Sequence, residues 1–173
     1  MKILAISGSL RAGSSNSALI SAAQLLVSEG TEVEIYHELA ALPHFNPELD
    51  IDPAPAVVHR FRSQLQSADA VLISTPEYAF GMPGSLKNAL DWVVSSGEFA
   101  GKPTAVVSAS PLASGGDKAL ASLVQTLKVM SAVIGDTGTL SLPFIRSKFD
   151  SNGALVNPDT IHALRLLLKS IAA

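Results

Sequence analysis

Three stretches of this 173-residue chain carry side chains suited to gripping an anion or a flat ring. The first is Ser7-Gly8-Ser9-Leu10-Arg11-Ala12-Gly13-Ser14-Ser15-Asn16-Ser17. Glycines let the chain turn tightly, backbone N–H groups and hydroxyls can surround a phosphate, and the start of a following helix adds a favourable field. Arg11 contributes a fixed positive charge with forked donors. An ordinary strand-to-helix turn capped by Ser15 or Asn16 needs far fewer polar groups. A nucleotide-triphosphate loop requires lysine where Ser14 stands, and a dinucleotide glycine fingerprint requires glycine where Leu10 stands. A cysteine-based phosphatase loop is excluded because the chain has no cysteine. The guest left by elimination is a phosphomonoester on a bound cofactor.

The second stretch, Thr75-Pro76-Glu77-Tyr78-Ala79-Phe80-Gly81-Met82-Pro83, puts large apolar side chains into a loop. Such side chains pack either on a planar ring, on a partner subunit or on the rest of the loop. The third, Ser108-Ala109-Ser110-Pro111-Leu112-Ala113-Ser114-Gly115-Gly116, ends in paired glycines that allow close backbone approach to a ligand.

These stretches must be positioned by the elements around them. Short β-type runs occur at Lys2–Ser7, Glu32–His37, Ala70–Thr75, Thr104–Ser110 and Thr137–Leu142. Between them, helical spacing appears at Leu19, Ala22, Ala23 and Leu26; at Val58, Phe61, Leu65 and Ala68; at Leu86, Ala89, Leu90 and Val93; and at Leu120, Leu123, Val124 and Leu127. Ile161, Leu164, Leu168 and Ile171 mark a last helix. Unbroken apolar runs in the first and third strands suit parallel strands covered on both faces. Five β-α units with right-handed crossovers give a three-layer α/β/α sandwich, read as one domain over residues 1–173. Pro43–Pro55 and Pro143–Asn157 read as long loops. Ligands of such sheets bind beyond the carboxyl ends of the strands, where all three chemical stretches fall.

Composition narrows the function further. With 47% hydrophobic and 16% charged residues the chain is no disordered tail, and its twelve Lys and Arg are scattered at a net charge of −3, so no nucleic-acid footprint is present. His37, His44, His59 and His162 lack metal-ligand spacing, and no nucleophile-elbow motif occurs. Asp91–Trp92 is read as helix packing rather than as catalytic. Ile3–Leu4–Ala5–Ile6 is too short for a signal-peptide core and no run suits a bilayer span, which gives the expectation of a cytoplasmic protein without membrane contact. The low charge fraction leads to the expectation that another subunit covers some apolar surface.

The sequence closely resembles the NAD(P)H-dependent FMN reductase family of flavin, quinone and chromate reductases. The resemblance rests on G-S-L-R-A-G-S-S-N at 8–16, T-P-E-Y at 75–78, P-G-S-L-K-N-A-L-D-W at 83–92 and S-P-L-A-S-G-G at 110–116, with K-F-D-S-N-G-A-L at 148–155 as a weaker match. It implies a flavodoxin-like five-stranded parallel sheet of order 2-1-3-4-5 and non-covalent FMN. Carried over by position, Ser9, Arg11, Ser14, Ser15, Asn16 and Ser17 hold the FMN phosphate. Pro76, Glu77, Tyr78 and Ala79 line the ribityl chain and ring, largely through backbone groups, and Ser110, Ser114, Gly115 and Gly116 border the ring from the other side. Where the family often has Asn after P-E-Y this chain has Ala79, which offers no side-chain hydrogen bond. The resemblance also implies a homodimer or homotetramer, with the helix near Pro83 at its interface.

The expected activity is hydride transfer from NAD(P)H to FMN N5 and onward to a flavin, quinone or similar small acceptor, with no side chain acting as nucleophile or metal ligand. Two alternatives stand beside it: a non-enzymatic flavodoxin-type electron carrier, which a net charge of −3 with interspersed signs suits poorly, and a redox-inactive binder of a phosphorylated ligand.

Overall fold

The computed structural model describes residues 1–172, all but Ala173 of the expected single domain. Five apolar runs form the strands β1 (Lys2–Ser7), β2 (Glu32–Tyr36), β3 (Ala70–Thr75), β4 (Thr104–Ala109) and β5 (Thr139–Leu142). Five helices intervene or follow: α1 (Ser15–Gln24), α2 (Ala56–Ser67), α3 (Gly84–Asp91), α4 (Asp117–Val129) and α5 (Pro158–Lys169). All four strand pairings are parallel and the order is β2-β1-β3-β4-β5, as the resemblance implies.

Burial on both faces explains why the inner strands read as unbroken apolar runs. Side chains of alternate residues feed two separate cores. Leu4, Ile6, Val71, Ile73 and Val106 pack beneath α2, α3 and α4, whereas Ile3, Ala5, Leu72, Ala105 and Val107 pack beneath α1 and α5. The register sets Ser7 beside Ser74 and Thr75 beside Ser108, so the three loops leave the sheet at one level.

Sequence and structure differ at several boundaries. β2 stops before His37, β4 before Ser110, and β5 starts two residues after Thr137, where the Gly138 N–H closes a turn onto the Gly135 carbonyl. Leu26 and Val93 continue a buried stripe past the helix ends in turns. Ser14 caps α1, not Ser15 or Asn16: its Oγ accepts the Asn16 N–H at 3.2 Å. Trp92 has the packing role expected of it. It is fully buried, meets Phe45 edge-on at 5.1 Å, and its indole N–H donates to the Pro43 carbonyl at 2.8 Å, pinning the long loop. Asp91 pairs with Lys87 one turn earlier.

Candidate functional site

At the carboxyl ends of β1, β3 and β4 lies a cavity of about 310 Å³. Loop 1 (residues 8–14) and the first turn of α1 form one wall, with Ser9, Arg11, Ser14, Ser15 and Asn16. Pro76, Glu77 and Tyr78 form a second wall and Ala109 to Leu112 a third.

Asn16 fastens loop 1 to the sheet. Its side chain is buried, its Oδ1 accepts the Ser74 hydroxyl at 2.8 Å, and its Nδ2 donates to the Ala109 carbonyl at 3.4 Å. One side chain therefore ties the start of α1 to the ends of β3 and β4. Ser9 and Ser14 are also buried, and their Oγ atoms accept the N–H groups of Arg11 and Asn16. Their hydroxyl hydrogens have no described acceptor, and neither do the first-turn N–H groups of Ser15 and Ser17, which the helix itself cannot satisfy. Gly8 sits so close to α3 that a Cβ there would lie 3.0 Å from Leu86 Cδ2, and its N–H is held by the Ser74 carbonyl at 2.8 Å.

The charge on the walls favours an anion. Arg11 is exposed, its guanidinium reaches only the Gly13 carbonyl, at 3.4 Å, and among the described residues it forms no ion pair. The single acidic lining residue, Glu77, has its carboxylate turned aside. Oε2 accepts the N–H groups of Lys118 and Ala119 at 2.9 and 3.0 Å, capping α4, whose own N-cap Gly116 has no side chain to do so. Glu77 thereby locks the second loop to the third and leaves its backbone on the cavity wall.

The hairpin at Tyr78–Gly81 is built differently. Tyr78 and Gly81 exchange both backbone hydrogen bonds, each at 3.0 Å, around Ala79 (φ 49°) and Phe80 (φ 62°). Positive φ at both central residues is the two-residue hairpin geometry that favours Asn and Gly. The Asn that the resemblance leads one to expect at position 79 would suit the backbone itself, whereas Ala79 holds the turn against its own Cβ.

Nine of the fourteen residues expected at the site line the cavity, and five do not. Ser17 shares a hydrogen bond with Ser7, Oγ to Oγ at 3.0 Å, and faces the outer side of loop 1. Ala79 lies at the exposed hairpin tip. Ser114, Gly115 and Gly116 sit farther along the third loop. The Gly115 N–H donates to the Leu112 carbonyl, and a Cβ on Gly115 would come within 2.3 Å of Ser141 Oγ, so this glycine serves close packing against β5.

Sequence reasoning missed Ala109, Pro111, Leu112, Ile145 and Arg146 as lining residues. The segment after β5 folds back onto the third loop, its Phe144 and Ile145 N–H groups donating to the Leu112 and Ser110 carbonyls, and this brings Arg146 to the cavity. The signal was available, since a basic residue just beyond a strand's carboxyl end obeys the rule that singled out the other loops.

A parallel sheet of this order with an open cavity at the carboxyl ends of β1 and β3 is the arrangement of flavodoxin-like FMN proteins. Comparison with known proteins agrees. The family model described as NADPH-dependent FMN reductase matches residues 1–146. An NAD(P)H-dependent FMN reductase of Pseudomonas aeruginosa is 35% identical over 173 residues, covering 99% of this chain and 93% of the relative. A 2-hydroxy-1,4-benzoquinone reductase of a Burkholderia species is 32% identical, covering 100% and 95%. Among solved structures, the flavoenzyme NAD(P)H:(acceptor) oxidoreductase FerB of Paracoccus denitrificans superposes with a TM-score of 0.88 at 29% identity, covering 98% of this chain and 94% of that one. The chain belongs to the NADPH-dependent FMN reductase family and is an oxidoreductase that uses FMN with NAD(P)H as co-substrate.

Proposed function

We propose that the cavity described above is the FMN site and that the enzyme is an NAD(P)H-dependent reductase of small quinones or free flavin. The observation that carries this reading is the cradle itself. Buried hydroxyls at Ser9 and Ser14, first-turn N–H groups and an unpaired Arg11 converge where no free carboxylate opposes them. A doubly charged ester fits that donor set, with Ser15 and Asn16 completing it. Bound there, FMN supplies hydride acceptance from the nicotinamide and onward reduction of the second substrate.

The remaining steps belong to the protein. Pro76, Tyr78, Pro111 and Leu112 would offer a bound ring apolar neighbours, while the cavity's open side would admit the substrates in turn. The Glu77 N–H, which has no described acceptor, is placed to steady negative charge on whatever lies against that wall. Ser110 orients the third wall, its Oγ accepting the Leu112 N–H at 3.1 Å. Arg146 offers a second positive charge at the rim for an anionic substrate group.

No helix among the described residues is long and apolar enough to cross a membrane; a cytoplasmic location is part of this reading. So is a homodimer or homotetramer that covers Phe80 and Val94, which flank α3 and are 78% and 58% exposed. Sedimentation equilibrium tests the assembly.

The decisive experiment is a flavin absorption spectrum of the purified protein, then anaerobic titration with NADPH and NADH and steady-state turnover with a benzoquinone and with free FMN. Bleaching of a bound-flavin band by reduced nicotinamide, with quinone-dependent turnover, is expected. A protein that takes up no FMN, or is reduced yet turns over no acceptor, overturns the reading.

A further inference from the structure

Loop 1 has an outer side that the flavin reading does not use. There it closes a second cavity of about 420 Å³ against α1, the end of β2 and the short turn Leu39–Ala41. Ser9 and Arg11 line both cavities, so the loop is a shared wall. The outer cavity's remaining polar lining includes Ser17, Ser21 and His37, and its apolar lining includes Ile20, Ile35 and Leu39.

Its lining contains no carboxylate. The adjacent Glu38 is spoken for elsewhere. Its two oxygens accept Arg60 Nε and Nη2 at 2.9 and 3.1 Å, a forked pair that matches its charge away from the cavity. Within this cavity Arg11 and His37 face hydroxyls and apolar side chains, with the Arg11 guanidinium also on the Gly13 carbonyl and His37 also bordering a groove that holds Glu34 and Glu38. The volume lies within the usual range of small-molecule sites, and a guanidinium and an imidazole beside aliphatic side chains suit a ligand with a phosphate at one end and a flat apolar body at the other.

We infer that the outer cavity binds a phosphorylated nucleoside, with its phosphate on Arg11, His37 and Ser21 and its base against the exposed Leu10 and the half-buried Ile35. The five N–H donors of one guanidinium suffice to serve an anion on each side of the loop. Two sources share this chemistry. One is the adenosine half of NADPH, whose 2′-phosphate would make this cavity the element that separates NADPH from NADH; the other is a free nucleotide. The first source rests on the flavin reading of the inner cavity.

The test is calorimetric titration of the FMN-loaded protein with 2′,5′-ADP and, separately, with 5′-AMP. Saturable binding at one site is expected, stronger for 2′,5′-ADP. Ser21→Trp, which fills the cavity from an exposed helix position, should weaken binding by at least about tenfold, and His37→Leu by about three- to tenfold, with the flavin spectrum unchanged. In steady state, 2′,5′-ADP competing with NADPH assigns the cavity to the co-substrate; binding without competition assigns it to a free nucleotide. Absence of binding, or binding indifferent to Ser21→Trp, overturns the inference. Because calorimetry reads the outer cavity directly, a protein that binds 2′,5′-ADP yet turns over no acceptor counts against the flavin reductase reading and not against this site.

Discussion

From Ser14 to Ser17 the backbone enters an ordinary α-helix, the side chains are largely buried, and Asn16 binds the turn to two strands. From Tyr78 to Gly81, bordering the same cavity, the two central residues hold positive φ, and Tyr78 and Phe80 are 54% and 78% exposed. In the proposed site an anion would be gripped by groups that the fold must order anyway to start a helix. A ring in the same site would be approached by a turn whose shape the local sequence resists. On the proposed reading, binding energy at the first region would come from donors already in place, and at the second it would be reduced by the work of holding the turn.

Asn16→Ala is the sharpest way to break that contrast. It leaves the buried Ser74 hydroxyl and Ala109 carbonyl unmatched, so unfolding of the flavin-free protein in urea should show a loss of about 2–4 kcal/mol, together with poor flavin retention. A loss under 1 kcal/mol would mean that loop 1 is not fastened through Asn16. Arg11→Ala, by contrast, removes an exposed side chain whose guanidinium meets only the Gly13 carbonyl. The FMN dissociation constant, read by flavin fluorescence quenching, should rise about 10- to 30-fold, with flavin-free stability changed by less than about 0.5 kcal/mol. Unchanged affinity would remove Arg11 from the cradle.

The same contrast explains what could be read from sequence. Strand order and layering follow from apolar runs and helical spacing, which each element carries within itself. Loop 1 was legible because hydroxyls, glycines and Arg11 are adjacent in the chain. The side-chain duties of Asn16 and Glu77 were not, since their partners lie 58 and 93, or 41 and 42, residues away and depend on strand register. Gly115 and Gly116 read as ligand-approach glycines because nothing local reveals that β5 packs on Gly115.

Glu77 offers an intermediate case, being a structural brace within the second loop. Glu77→Ala removes the carboxylate that caps α4 and should lower stability by about 1 kcal/mol while loosening the link between second and third loops. Thermal unfolding of the flavin-free protein measures it. Glu77→Gln keeps one acceptor without the charge and should recover part of the loss. Equal losses in the two variants would assign the effect to charge alone.

The smallest expected effect separates two explanations for position 79. If Asn at that position matters through backbone shape, then Ala79→Asn and Ala79→Gly both relieve the left-handed strain, and each should stabilise the protein by about 0.5–1 kcal/mol. FMN affinity should then rise by a similar few-fold factor in both, because the turn bearing Tyr78 no longer has to be forced. If Asn matters instead through a hydrogen bond to the flavin, only Ala79→Asn improves affinity and Ala79→Gly leaves it flat. A gain with Asn alone would show that the two regions work alike, both binding through side-chain donors, and would dissolve the contrast between them.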